Sequence, residues 1–149
     1  MLVVTALSVA GCGFQIPADP DGTENAVRGG TLRVGITDNP PWTDIDGAGE
    51  PAGTEAELAM QFAAELDAEV EWTVGSEASL VGELERGRLD LVVGGFVDDT
   101  PWSEKAAVTR WYAEAEGEDG GRERHVMLTR MGENRFLVTL ETFLDGVTP

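Results

Sequence analysis

Leu89, Leu91, Val92 and Val93 form a short apolar run behind a Gly-containing turn and lead directly into Gly94 and Gly95. An apolar run of this length reads as a strand buried on both faces, the kind found where helices cover a parallel sheet. Asp98, Asp99 and Thr100 follow. Small residues let backbone approach a ligand closely, and Asp and Thr supply hydrogen-bonding groups. In open α/β sheets ligands bind beyond the carboxyl ends of the strands, so the residues after Val93 are the first candidate site. The same residues also suit a plain turn in which Gly and Asp set geometry and cap a helix. Residue type leaves both readings open.

The rest of the chain supplies partners for that strand. Thr31–Ile36 alternates apolar and polar residues as a strand does. A loop over 37–53 holds Pro40-Pro41-Trp42 and a Gly-rich turn, Asp46-Gly47-Ala48-Gly49. Thr54 with Glu57 three residues on predicts a capping box, and Leu58, Phe62 and Leu66 give the helix behind it one buried stripe. Glu69–Val74 reads as a second strand and 78–86 as a short helix ended by Gly87. Segment 104–112 reads as partly extended, 114–121 as an acidic surface loop and His125–Thr129 as another strand. An amphipathic helix follows from Glu133. This order predicts an α/β fold, one three-layer lobe built on a mainly parallel sheet.

With 149 residues the chain is long enough for one domain, and 42% hydrophobic content supports a core. Its 28 acids against 10 bases give a formal charge of −18, which opposes binding to nucleic acid or to an anionic membrane surface. The single cysteine, Cys12, rules out an internal disulfide and any cysteine-cluster metal site. It closes the run Leu2–Gly11, too short to span a bilayer but suited to an export signal. Val9-Ala10-Gly11-Cys12 resembles a bacterial lipobox, although no Lys or Arg precedes the apolar run. The expectation is a signal over 1–11, lipid on Cys12, a Pro- and Gly-rich flexible tether over 12–29 and a folded lobe over 30–147. Such a protein is exported and held on the extracytoplasmic side of the cell membrane by its lipid alone.

The strand TLRVGI, the stretch DNPPWTDIDGAGEPAGTEAELAMQFAAEL, the unit LVGELERGRLDLVVGGF and the turn DDTPWSEKAAVTRWY together resemble the extracellular solute-binding proteins of family 3, which serve ABC importers of amino acids. The resemblance covers residues 30–112 nearly continuously and 124–144 more weakly. It implies a periplasmic-binding-protein-like type II fold. Members have two lobes with the ligand between them, yet only about a dozen residues separate Tyr112 from the returning strand. The chain therefore resembles the first lobe alone. Positions matching the family's pocket are Asp38, Trp42, Gly94, Gly95, Phe96 and Thr100; Trp42 and Phe96 would form a stacking wall and the other four a polar rim. Ser103 stands where amino-acid-binding members carry an Arg for the ligand carboxylate, and a hydroxyl does not replace a guanidinium clamp.

With Asp38, Asp44, Asp98 and Asp99 nearby, a cationic or neutral solute fits better than an anion. The resemblance further implies an ABC permease as partner, and a face-to-face homodimer could rebuild a two-sided cleft. Trp42 reads equally as packing, Trp102 as packing and His125 as a structural histidine. No nucleophile with a His–acid pair, no phosphate-binding Gly loop and no zinc signature stands in the sequence, so no enzyme activity, cofactor or metal is expected. The competing reading is an interaction module, with an exposed apolar patch of Trp42, Phe96, Trp102 and Trp111 binding a membrane protein or a second copy.

Overall fold

The computed structural model describes residues 17–45 and 49–147. The lipobox with Cys12, the export signal, the first part of the expected tether and residues 46–48 of the expected Gly-rich turn lie outside the described residues.

Six strands form one mixed sheet. β1 (Thr31–Ile36) lies between β2 (Glu69–Val74) and β3 (Leu91–Val97) and is parallel to both. β6 (Arg122–Thr129) then runs antiparallel to β3, and on its far side it pairs with β4 (Ala107–Val108) and β5 (Ala113–Glu116). The sheet is thus parallel only across β2-β1-β3. β6 is entered through a tight hairpin from β5, and a hairpin can only return a strand antiparallel.

Helices cover both faces. α1 (Thr23–Val27), α2 (Thr54–Glu65) and α4 (Asn134–Val147) pack on one face, where Phe62, Phe136, Phe143 and Leu140 meet Leu32, Val34, Leu91 and Val93. α3 (Glu77–Glu85) packs on the other through Leu80, Val81 and Leu84 against Leu89, Val92 and Leu128. Residues 91 and 93 of β3 enter one core and 92 and 96 the other, as the two-residue period of a strand requires. That is why the apolar run is continuous. Asp90, itself buried, fixes where the run begins, accepting hydrogen bonds from the Arg33 backbone and guanidinium while Arg33 Nη1 donates to the Gly87 carbonyl.

Three local expectations are corrected. The capping box at Thr54 does not form: Gly53 is the N-cap, with φ 99, and carries no capping side chain. The loop does that work instead, because Pro41 and Trp42 carbonyls accept from the Thr54 and Glu55 amides. A Cβ at Gly53 would sit 2.6 Å from the Trp42 carbonyl oxygen, so only Gly lets the loop close on the helix there. The tether reading of 12–29 fails over its described part. α1 packs Val27 into the core, and the buried Glu133 carboxylate accepts from the Asp21 and Thr23 amides. The acidic segment 114–121 is half strand, with Glu114 and Glu116 on β5 opposite Arg124 and Arg122 on β6.

Candidate functional site

The carboxyl end of β3 departs from regular pairing. Val92 opposes Leu128 and Phe96 opposes Val126, so β3 carries two more residues than β6 over this interval. The resulting bulge takes the Gly94 and Gly95 amides out of the ladder, and buried donors must find other acceptors. Both donate to one oxygen of Glu55, Oε2, at 2.7 and 2.9 Å. The Tyr112 hydroxyl donates to the other, Oε1. Glu55 is fully buried, 0% exposed, and burial pushes its carboxyl pKa up against the opposing pull of the Gly95, Tyr112 and Gly94 donors. Burial, and then the Glu55 charge, pushes the Tyr112 hydroxyl well above its usual range, so it stays a donor. Sequence reasoning missed Glu55, which looks like one of two acids in the first turn of an amphipathic helix; the signal was an acid on the apolar side of the stripe.

The bulge also seats the 37–43 loop. Gly95 has φ 68, and a Cβ there would lie 2.5 Å from Asn39 Nδ2 and 2.8 Å from Trp42 Cδ1. Asn39 Nδ2 donates to the Gly94 carbonyl at 2.8 Å, and the Thr43 hydroxyl donates to the Thr37 carbonyl at 2.6 Å. The half-buried Trp42 stacks on His125 of β6, with ring centroids 3.6 Å apart and planes 29° from parallel. His125 is 1% exposed, and neither ring nitrogen forms a well-made hydrogen bond. Burial lowers its pKa and favours the neutral ring.

A cavity of about 610 Å³ opens over these rings. One wall is the 39–42 turn with Gly95 and Val97; the other is the tip of the β5–β6 hairpin, residues 116–119, with Glu123 and His125 behind it. Four carboxylates line it, those of Glu116, Glu118, Asp119 and Glu123, and no Lys or Arg does. Nearby guanidiniums are engaged elsewhere: Arg122 and Arg124 with Glu114, and Arg110 with Glu141 and Asp145. A half-buried indole beside unneutralised carboxylates is the arrangement that holds an organic cation.

Of the six residues expected to make the pocket, Trp42 and Gly95 line the cavity. Gly94 sits beneath it, its amide on Glu55 and its carbonyl on Asn39. Phe96 does not share a wall with Trp42. It lies on the face of β3 that Val92 also occupies and is buried against α3 with Val126 and Leu128. Thr100 is buried and caps the short 3-10 helix Pro101–Glu104, its hydroxyl accepting from the Trp102 amide. Asp38 is exposed and accepts from the Ile45 amide. His125 and the hairpin acids take the wall positions instead. The aromatics do not form a flat patch, since Trp102 packs against the α3 core and only Trp111 of the four, at 51%, is exposed. Among the described residues no group of three or more His, Cys, Asp or Glu is placed to hold a metal ion, and no helix is long and apolar enough to cross a membrane.

Comparison with known proteins gives a consistent picture of the fold. The model of the bacterial extracellular solute-binding proteins, family 3, matches residues 32–119. Among solved structures, the arginine-bound form of domain 1 from TmArgBP, of T. maritima, superposes with a TM-score of 0.72 at 22% identity, covering 83% of this chain and 98% of that one. An ancestral cationic amino acid solute-binding protein gives 0.70 at 16% identity, covering 83% and 92%. An ancestral cyclohexadienyl dehydratase gives 0.56 at 27% identity, over 66% of this chain and 41% of that one. Among curated proteins none matches.

Proposed function

This chain belongs to the bacterial extracellular solute-binding proteins, family 3, and on that premise we propose that it is a single capture lobe for a small cationic solute. The solute lies on Trp42 under the acidic hairpin. One observation carries this reading: the hairpin supplies a second wall to what would otherwise be an open half-cleft, and that wall brings four carboxylates and no Lys or Arg. The arginine-bound domain 1 from TmArgBP supports it, as a lone lobe with a cationic solute in place. In this reading the protein is not an enzyme. Cys12 carries the lipid that holds it outside the cell membrane, and an ABC-type permease receives the solute. A homodimer is not needed to close the site.

The test is a calorimetric and thermal-shift titration of the full chain against organic cations, with glutamate and glucose as controls. A ligand that binds only the native state raises the melting temperature by mass action. Saturable shifts with cations alone are expected, and Trp42→Ala should abolish them. A panel in which no cation binds, or in which glutamate binds better, sinks the reading. For the anchor, Cys12→Ala should move the protein from the membrane fraction to the soluble one.

A further inference from the structure

Resting on that reading, we infer that the solute this cavity accepts is a cation without a carboxylate, a diamine or a guanidinoalkylamine, rather than an amino acid. An α-carboxylate needs donors backed by positive charge, and the strand-end amides and guanidiniums that could serve are already committed. The two amides at the carboxyl end of β3, Gly94 and Gly95, both point at Glu55 Oε2. A ligand carboxylate could take them only by displacing a buried carboxylate that also holds Tyr112. No Arg or Lys lines the cavity, and Arg110, Arg122 and Arg124 each bond to carboxylates of their own. Ser103 is exposed on the 3-10 helix and lies outside the lining.

What the walls do offer suits a cation at both ends. Glu116 and Glu118 have no ion-pair partner among the described residues, while Asp119 accepts from the Gly121 amide. Glu123 meets only His125 Nε2, at 4.0 Å. His125 is the observation independent of the acids. It lines the cavity and is nearly inaccessible to water, and its ring nitrogens have only marginal contacts with the Gly95 and Phe96 backbone, none of them a well-made hydrogen bond. A buried polar group in that state is costly unless a partner arrives. As a neutral ring it can accept an N–H from an ammonium or guanidinium but brings no countercharge for a carboxylate. Trp42 supplies the π face.

The experiment titrates the full chain with matched pairs at low ionic strength: agmatine against arginine and cadaverine against lysine. Argininamide is a third member, with the size of arginine and no carboxylate. Agmatine, cadaverine and argininamide should each bind roughly tenfold or more tightly than the matching amino acid, because like charges set face to face are strongly penalised. The double variant Glu116→Gln, Glu118→Gln should narrow the agmatine-to-arginine ratio. Amino acids binding as tightly as their decarboxylated partners overturns this inference and leaves the cation-binding reading standing. A ratio unmoved in the double variant also overturns it. If no member of any pair binds, the site reading itself falls and takes the inference with it.

Discussion

Glu55 concentrates the chemistry of this lobe in one side chain. It satisfies two amides that the β3 bulge would leave orphaned, and it anchors Tyr112 at the point where the chain leaves the 3-10 helix region for the hairpin. Glu55→Ala should cost about 2–4 kcal/mol, measured by urea unfolding, because buried donors are left without an acceptor. Glu55→Gln keeps one acceptor oxygen and should cost clearly less. Neither variant titrates at this position, so both differ from the wild type in pH response as well. Burial raises the folded-state pKa above the ordinary 4.5, so the folded protein holds this proton more tightly than the unfolded chain. Stability from this group is therefore fully present below pH 4.5 and is lost as pH rises through the folded value. The destabilisation of Glu55→Gln relative to wild type should shrink over that window, and a gap that widens with pH would refute the assignment.

Glu133 works with the opposite sign at the level of an element. Its carboxylate takes the Asp21 and Thr23 amides and so docks α1 onto the start of α4; these hydrogen bonds outweigh burial and hold its pKa down at about 2. A depressed carboxyl contributes stability above its ordinary pH 4.5 and loses it as pH falls toward 2. Glu133→Gln should thus be destabilising at pH 7, by about 1–3 kcal/mol, with the difference from wild type vanishing in acid. It should also expose residues 17–28 to limited proteolysis, since α1 alone is too short to persist. This docking explains why 12–29 reads as a tether. Pro, Gly and polar residues describe a segment with little apolar material, and its main fastening is a carboxylate more than a hundred residues away. The strands, α2, α3 and α4 were legible because their apolar periods are local. The hairpin end was not: the Ala–Glu alternation of residues 113–116 is too weakly apolar to stand out from the acidic, Gly-rich run that follows, and 122–124 pairs with it through charge.

Across the whole molecule the same difference separates what the sequence made readable in the site from what it did not. Trp42 and the Gly pair lie in contiguous motifs, whereas His125 and Glu123 reach Trp42 only after the sheet has brought β6 beside β3. Phe96 was misplaced because the two-residue period puts it on the α3 face with Val92, whereas Trp42 packs against the core on the other face. Charge is the other global property. At −18 the molecule surrounds its cavity with negative potential, so the association rate for a cation should fall steeply with added salt while the dissociation rate changes little. Stopped-flow Trp42 fluorescence between low and physiological ionic strength would measure this, and a salt-independent association rate would exclude steering. The hairpin has a kinetic and mechanical consequence as well. Because both walls hang from one sheet, a solute entering here would trigger no closing stroke. Capture would be a single bimolecular step, with an observed rate linear in concentration and no change in the radius of gyration. Any receptor downstream would have to sense the cargo by touch, at the rim of the hairpin, and not by the shape of the carrier.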